Sequence, residues 1–334
     1  MQDQWNHKIF NITPGSFDEL ALEVFRFQYE NNPVYKAYID TLHIKPGNVR
    51  HVHEIPFLPI ELFKSHQVKT TSFEAVKIFE SSGTTGSHTS RHFVKDISYY
   101  EESFTRCFER FCGSVKEYCI ICLLPSYLER KPALPAGRNS SLVYMADKLI
   151  NLSEHPQSDF YLNEFEKLYA VLNELGKREQ KTLLLGVTFA LLDFAEKYSL
   201  HLKNTLIMET GGMKGRRDEM IRSEVHLILK NAFGVDTIHS EYGMTELFSQ
   251  AYSKKDGIFN FPLWAKTFVR DDEDPFLVKT AGVGAINIID LANIYSCSFI
   301  ATDDVGKVND DGSFEITGRM DNSDLRGCSL LVVN

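Results

Sequence analysis

The spacing of apolar residues predicts alternating helices and strands over the first two thirds of the chain. Residues 16–44 carry a helical pattern that Asn31, Asn32 and Pro33 interrupt. Residues 51–66 are apolar but broken by prolines, which predicts an extended segment followed by a short helix. Beyond them the pattern predicts strands at 118–124, 181–187 and 205–209 and helices at 97–112, 140–150, 160–175, 189–198 and 218–230.

From residue 255 onward the pattern changes to short apolar segments separated by turn residues. Turns are predicted at 256–257, 282–284 and 310–312, so this part is expected to be rich in strands. The two patterns together predict the α/β class, with mostly parallel sheets flanked by helices and a β-rich part near the end. Ligands of parallel sheets bind at the carboxyl ends of the strands. Three polar stretches follow predicted strands and are expected to meet at one such edge, namely 81–86, 211–212 and 239–246.

Composition narrows the possible partners. The chain has 334 residues, of which 43% are hydrophobic, so it can form one large domain or two of ordinary size. A net charge of −9 and a pI near 5.7 argue against a nucleic-acid or anionic membrane surface. No apolar run approaches the roughly 18 residues that a membrane span needs. The N-terminus lacks the basic start and apolar stretch of a signal peptide, so we expect a cytoplasmic protein.

Cysteine and histidine pairs at short spacing do not predict a metal site. Cys119 and Cys122 lie in a predicted strand, where positions three apart face opposite sides, so both are interpreted as structural. His51 and His53 would share one face of a strand. Without a third ligand at a readable spacing, that pair is not expected to hold a metal ion.

The segment 81–86, SSGTTG, places hydroxyls and glycines side by side. Glycine lets backbone N–H groups converge on one point, and each hydroxyl adds a donor there. Such a nest of donors binds phosphate oxygens. The spacing is not that of a Walker loop, because no lysine follows the second glycine. A solvated Ser/Gly loop is the alternative that this segment alone leaves open.

Later stretches extend this pattern: HSEYGMTE at 239–246, ATDDVG at 301–306, and TGRMD at 317–321 followed by Arg326 and Gly327. With SSGTTG, and in this order, they resemble the motifs of the acyl-adenylate-forming superfamily. The segments FLPIELFKSH (57–66) and RGCSLLVVN (326–334) are similar to the acyl-protein synthetase family of the bacterial bioluminescence fatty-acid reductase complex, itself related to phenylacetate-CoA ligases.

The resemblance implies the large N-terminal domain of the superfamily without its usual small C-terminal domain, because the chain stops at Asn334. We expect a core domain at 1–317, including a helical and extended entry segment at 1–78, and a tail at 318–334. The implied cofactors are ATP and Mg²⁺. Carried over residue by residue, the implied nucleotide contacts are Ser82, Gly83, Thr84, Thr85, Gly86, Gly211, Gly212, Tyr242, Gly243, Asp304 and Arg319.

Individual roles also follow from the resemblance. Thr245 would contact the α-phosphate and Glu246 would hold Mg²⁺ directly or through water, so both are candidate catalytic residues. Asp304 takes the position of the ribose-binding aspartate, but Asp303 stands where a glycine is usual, which leaves the choice between the two acids open. For Tyr242, adenine stacking competes with ordinary core packing.

Cys328 is the candidate acyl carrier, since members of the family hold the acyl group as a thioester near the C-terminus. Arg326 close by would lower the pKa of its thiol. The alternative is a small apolar side chain under the last strand. The sequence departs from the superfamily after TTG, where Ser87 and His88 replace Pro-Lys. No catalytic-lysine domain follows, so adenylation would depend on nearby bases or on a partner subunit; the nearby bases are Arg91, His92 and Lys95.

The function expected from these motifs is activation of a fatty acid by ATP to acyl-AMP and transfer of the acyl group to a protein thiol. The expected partners are the fatty acid and an acyl-reductase or acyl-carrier protein. Two alternatives stay open: a phenylacetate-type acyl- or aryl-CoA ligase, in which CoA or a carrier thiol replaces Cys328, and a non-enzymatic nucleotide-binding subunit of a reductase complex.

Overall fold

The computed structural model describes residues 4–81, 89–124, 140–161, 164–211, 220–271 and 273–320. None of the helices in these ranges combines the length and the apolar character that crossing a membrane requires. The helices are α1 (Gln4–Phe10), α2 (Phe17–Asn31), α3 (Pro33–Thr41), α4 (Leu62–Ser65), α5 (Ser98–Cys112), α6 (Ser141–Ser153), α7 (Phe165–Lys177), α8 (Thr188–Lys197) and α9 (Arg222–Phe233). The strands are β1 (Leu58–Pro59), β2 (Lys77–Glu80), β3 (Arg91–Val94), β4 (Cys119–Leu123), β5 (Asp159–Phe160), β6 (Thr182–Val187), β7 (Thr205–Thr210), β8 (His239–Tyr242), β9 (Ala251–Ser253), β10 (Phe259–Asn260), β11 (Ala265–Arg270), β12 (Val278–Lys279), β13 (Gly282–Asp290), β14 (Phe299–Val308) and β15 (Phe314–Arg319).

The predicted break in the first helical pattern is confirmed. Asn32 ends α2 and caps α3, because its side-chain oxygen accepts from the backbone N–H groups of Val34 and Tyr35, both at 3.1 Å. Pro33 is the first residue of α3, where its missing N–H removes no helical hydrogen bond. The chain therefore turns at this point without interrupting the apolar face that both helices bury.

One half of the large sheet is parallel, as predicted for the α/β class. Strands β5, β4, β6, β7 and β8 lie side by side in that order and run parallel, and α6 to α9 connect them. From β4 the chain moves to β5 on one side and then returns to β6 on the other. A reversal of this kind opens a crevice at the carboxyl ends of the strands.

The other half is antiparallel, which confirms the predicted β-rich part. The sheet continues from β8 through β9, β10, β15, β14, β13 and β11 to β12, and β1 pairs with β14 alongside this path. The turn predicted at 282–284 is wrong, because these residues open β13. A Cβ on Gly284, whose φ is +156°, would lie 2.5 Å from the carbonyl oxygen of Arg270. This glycine permits close approach of two strands and does not make a turn.

The sheet curls between β8 and β14. Tyr242 ends β8 and Asp304 lies on β14, with β9, β10 and β15 between them. In a flat sheet that separation would be about 19 Å. The hydroxyl of Tyr242 nevertheless donates to Oδ2 of Asp304 at 2.7 Å. The rings inside the curl are those of Phe259, Phe261 and Phe314, at 5.8, 6.4 and 5.5 Å from the Tyr242 ring.

The SSGTTG segment connects the two strands of a separate hairpin, β2 and β3. Ser81 N–H donates to the carbonyl oxygen of Ser90 at 3.1 Å, and Ser90 N–H donates to Oγ of Ser81 at 2.9 Å. Hydrogen bonding between the two sides of the hairpin therefore continues as far as Ser81 and Ser90. Residues 82–88 themselves lie outside the described ranges.

The short-spaced cysteines and histidines occupy different kinds of local structure. Cys119 and Cys122 are free, buried thiols on β4, as the strand prediction requires. Burial raises the pKa of Cys119 to about 11, which makes it a poor nucleophile. His51 and His53 do not lie on a strand, since residues 52–54 form one turn of 3₁₀ helix. Their rings stack at 5.5 Å.

Candidate active site

Asp290 holds the turn that follows β8 and carries Thr245 and Glu246. Its carboxylate is fully buried and accepts from the backbone N–H groups of Phe248 at 2.8 Å and Ser249 at 2.9 Å. It also accepts from the Ser249 hydroxyl at 2.7 Å and from Ala292 N–H at 3.1 Å. The shape of the turn is thus set by a residue at the end of β13, which sequence reasoning did not identify.

The carboxyl group of Glu246 is buried within reach of several positive or donating groups. The side chain is 5% exposed, and Asn293 Nδ2 donates to its backbone carbonyl at 2.8 Å. Burial raises the pKa of Glu246, while a hydrogen bond from Ser90 and the positive charges of Arg319 and Lys64 act in the opposite direction. Burial is the larger of these effects, and the donor and the two positive charges oppose it.

The hairpin stem meets this turn at two points, which supports the predicted convergence of the first two motifs. Nδ1 of His92 lies 2.9 Å from the carbonyl oxygen of Thr245, and the Ser90 side chain is near enough to the Glu246 carboxyl to lower its pKa. The residues predicted to contact phosphate lie outside the described ranges; they are Ser82, Gly83, Thr84, Thr85 and Gly86. Ser90 and His92, which lie just after that segment, are the residues that approach Thr245 and Glu246.

Asp304 and Arg319 complete the arrangement from the other half of the sheet. They are directly paired across β14 and β15. Burial raises the pKa of Asp304, which accepts the Tyr242 hydroxyl. Asp303 instead pairs with Arg319, with 3.4 Å between Oδ2 and the guanidinium. Of the two acids that the sequence left open, Asp304 is the one joined to Tyr242, and the Arg319 side chain is 67% exposed beside it.

Two of the predicted glycines in the described ranges are required by local geometry. Gly211 directly follows β7 and has a φ of +74°, a left-handed conformation that favours glycine. A Cβ on Gly243 would lie 2.6 Å from Oε1 of Glu241. Gly212 lies outside the described ranges. Both described glycines sit at the carboxyl edge of the parallel strands, where a ligand can approach the backbone closely.

Sequence reasoning missed two buried carboxyl groups at this same edge. Glu209 accepts from the Thr188 hydroxyl at 2.8 Å and pairs with Arg222 at 3.4 Å. Although burial disfavours its ionised form, contacts from His226 and Arg222 hold the pKa of Glu209 below its usual value. Glu241 accepts from the Thr210 hydroxyl. The sequence did contain a signal for them, because each is a glutamate inside an apolar strand pattern. A glutamate is rarely buried in a strand unless another group pairs with it.

Glu241 makes stability depend on pH. Burial raises its pKa from 4.5 to about 7, against the Thr210 hydrogen bond and assisted by the nearby Glu209 carboxylate. The folded state therefore retains a proton that the unfolded state releases, and stability falls as pH rises from 4.5 to 7. We expect Glu241→Gln to exceed the wild type in free energy of unfolding by up to about 3 kcal/mol at pH 8 and by about 1 kcal/mol or less at pH 5.

Urea denaturation of both proteins between pH 5 and pH 8 checks this. The exposed Glu224→Gln variant is the matched control and should show no such trend. A difference between Glu241→Gln and wild type that is the same at every pH would contradict the prediction.

The site therefore combines the buried carboxyl of Glu246, the Asp304 carboxyl that accepts the Tyr242 hydroxyl, and Arg319. The β2–β3 hairpin meets them at the Thr245–Glu246 turn. Donors and a cation suit a phosphate chain, the Glu246 carboxyl suits a metal ion, and the Tyr242–Asp304 pair suits a hydroxyl-bearing ligand. Cys328, the candidate acyl carrier, lies outside the described ranges, and its role stays a prediction.

Comparison with known proteins gives the same family as the motifs. A family model described as "Acyl-protein synthetase, LuxE" matches residues 14–334. The long-chain-fatty-acid–luciferin-component ligase of Aliivibrio fischeri is 23% identical over 351 residues, covering 95% of this chain and 88% of the relative.

Two solved structures show the same fold over part of their length. ATP-bound MatB from Rhodopseudomonas palustris aligns with a TM-score of 0.50 at 16% identity, covering 72% of this chain and 47% of that one. An ATP-bound chimera, RpMatB-BxBclM B3, aligns with a TM-score of 0.51 at 18% identity and the same coverage. The chain thus spans about half the length of these structures. The predicted fold class and the predicted enzyme class, an acid–thiol ligase, are confirmed at the level of the family, and the chain belongs to the acyl-protein synthetase family, LuxE.

Proposed function

We propose that the protein activates a fatty acid with ATP to acyl-AMP and then transfers the acyl group to a protein thiol. The observation that carries this proposal is the meeting of the hairpin stem with the Thr245–Glu246 turn in the same crevice as Tyr242 and Asp304. The names of the relatives support it, since one acts on a long-chain fatty acid and the solved structures hold ATP.

The first step joins the acid to the nucleotide. A carboxylate oxygen of the acid attacks the α-phosphorus of ATP, and the bond to the bridging oxygen breaks, so that pyrophosphate leaves. Thr245 contacts the α-phosphate, and the hydroxyls and N–H groups of 82–86 hold the β- and γ-phosphates. The ring of Tyr242 stacks on adenine, Asp304 binds ribose hydroxyls, and Arg319 contacts ribose or phosphate. Gly211, Gly212 and Gly243 allow the backbone to approach the nucleotide.

Mg²⁺ fits this site through Glu246. Its carboxyl is buried, with Arg319 and Lys64 near enough to act on its pKa but without an ion pair to either in the described part of the chain. Mg²⁺ is commonly held by one or two carboxylates together with substrate phosphates. When bound, the ion would neutralise charge on the phosphate chain. Glu246 would orient it directly or through water.

The second step moves the acyl group. The thiolate of Cys328 attacks the carbonyl carbon of acyl-AMP, the bond from that carbon to the AMP oxygen breaks, and AMP leaves with the electron pair. The thioester is then available to an acyl-reductase or acyl-carrier partner. That partner, the cytoplasmic location and the domain division at 317/318 stay predictions.

We expect Cys328→Ser to retain acid-dependent pyrophosphate exchange within about threefold and to lose the covalent acyl adduct, because adenylation precedes thiol attack. Mass spectrometry after incubation with ATP, Mg²⁺ and a panel of medium- and long-chain fatty acids detects the adduct, and radiolabelled pyrophosphate measures the exchange. Cys112→Ser is the control and should keep both. An adduct that persists in Cys328→Ser would place the acyl group elsewhere.

The same assay separates the alternatives. Consumption of CoA in step with ATP cleavage would favour the phenylacetate-type CoA ligase. Absence of pyrophosphate exchange with every acid in the panel, together with nucleotide binding, would favour the non-enzymatic subunit.

A further inference from the structure

Three basic side chains follow the SSGTTG segment, and the structure separates them. Successive side chains of a strand point to opposite faces. Arg91 lies over the ring of Phe93, 5.6 Å from its centroid, so both occupy one face of β3. Lys95 Nζ lies 3.9 Å from the ring centroid of Tyr295. His92 points to the other face of β3 and is 0% exposed.

The imidazole of His92 is held by one hydrogen bond and two rings. Nδ1 lies 2.9 Å from the carbonyl oxygen of Thr245, and because a carbonyl only accepts, Nδ1 carries the proton and donates. The ring stacks on Phe248 with 4.5 Å between centroids and 20° between planes, and Phe63 meets it edge-on at 6.1 Å. Burial lowers the pKa of His92 to about 4, so the ring is neutral at physiological pH. Its Nε2 has no hydrogen-bond partner among the described residues.

The hairpin depends on contacts of this kind for its orientation. In the part of the chain that the structure describes, it forms no backbone ladder with the large sheet, and a two-stranded hairpin alone is marginally stable. Phe79, directly opposite His92, anchors the hairpin through the rings of Tyr100 and Tyr144 at 5.2 and 5.6 Å. Apolar packing of this type resists separation but tolerates sliding. His92 adds a directional contact, and its partner belongs to the turn that carries Glu246.

We propose that His92 is a positioning residue whose Nδ1–H bond to the Thr245 carbonyl sets the hairpin at a fixed distance from the Thr245–Glu246 turn. This inference rests on the proposed function, in which the hairpin holds the β- and γ-phosphates and the turn holds the α-phosphate and Mg²⁺. Among the described residues, His92 forms no hydrogen bond or ring contact with Tyr242 or Asp304, the proposed adenine and ribose contacts. Loss of the bond should therefore weaken binding of the triphosphate chain while leaving nucleoside binding intact.

Substitutions at position 92 separate the hydrogen bond from the ring packing. His92→Phe keeps a flat ring and removes the donor, whereas His92→Asn places an amide N–H close to where Nδ1 lies. We expect His92→Phe to weaken MgATP binding at least about tenfold and AMP binding less than about threefold, because the hairpin would no longer be held at its distance from the Thr245–Glu246 turn. His92→Asn should restore MgATP binding to within about threefold of wild type. Isothermal titration with MgATP and with AMP measures both affinities.

Two further variants keep the test decisive if His92→Phe does not fold. His92→Gln carries its amide near the Nε2 position, so it should bind MgATP as weakly as the phenylalanine variant. Phe248→Leu removes the stacked ring and keeps the donor, and should lower the thermal unfolding midpoint without changing the ratio of MgATP to AMP affinity.

Equal weakening of MgATP and AMP binding by His92→Phe, or an asparagine variant as weak as the glutamine variant, would overturn the proposal. The affinities are read without turnover. A wild type that binds MgATP but shows no acid-dependent pyrophosphate exchange would therefore refute the proposed enzymatic function and leave the role of His92 still decided by the binding ratios.

Discussion

Glu246→Gln is expected to reduce acid-dependent pyrophosphate exchange by a factor of about 100 or more, because it removes the charge proposed to hold Mg²⁺ on the phosphate chain. The amide has nearly the same shape, and burial already disfavours the ionised carboxyl, so the variant should fold with an unchanged or higher thermal midpoint. Raising the Mg²⁺ concentration should recover part of the rate. Initial rates of exchange across a Mg²⁺ series measure these effects.

The matched control is Glu315→Gln, a half-buried glutamate on β15 outside the site. It should exchange pyrophosphate at the wild-type rate at every Mg²⁺ concentration. A Glu246→Gln protein with wild-type rates and wild-type Mg²⁺ dependence would remove Glu246 from the metal site.

Asp290→Asn should lower the free energy of unfolding by at least about 3 kcal/mol. The carboxylate accepts four hydrogen bonds, three of them from backbone N–H groups or the hydroxyl of the Glu246-bearing turn. An amide offers one oxygen as acceptor and turns its N–H₂ group toward donors, so buried donors are left unpaired. Urea denaturation monitored by tryptophan fluorescence measures the loss.

Asp311→Asn provides the comparison on an exposed turn. Asp311 accepts from the N–H and the hydroxyl of Ser313 at 2.9 and 2.6 Å, but water can replace these bonds, so the loss should stay below about 1 kcal/mol. If Asp290→Asn is no more destabilising than Asp311→Asn, the buried carboxylate is not what holds the turn.

The parallel half of the fold could be predicted because local periodicity determines it. The predicted strands at 118–124, 181–187 and 205–209 correspond to β4, β6 and β7 within one residue at every boundary. Where a long-range contact competes with local pattern, the prediction fails. Phe160 was expected to start a helix, but it pairs with Cys122 in β5, and α7 begins only at Phe165.

The site residues show the same difference between local pattern and long-range contact. Tyr242, Glu246 and Asp304 could be named because each lies in a motif whose letters are contiguous. Asp290 was not named, and His92 was named only as a base near SSGTTG, because the contacts that give them their roles join residues 41, 42 and 153 positions apart along the chain. Neither periodicity nor spacing carries information about which buried donor meets which acceptor across that separation.

The curl of the sheet has a mechanical consequence. The hydrogen bond between Tyr242 and Asp304 joins β8 to β14, the two outer strands of a run of five neighbouring strands. In the proposed function a nucleoside contacts both residues, so its binding would oppose separation of β8 from β14. Separation of these two strands and release of the nucleoside would then be coupled.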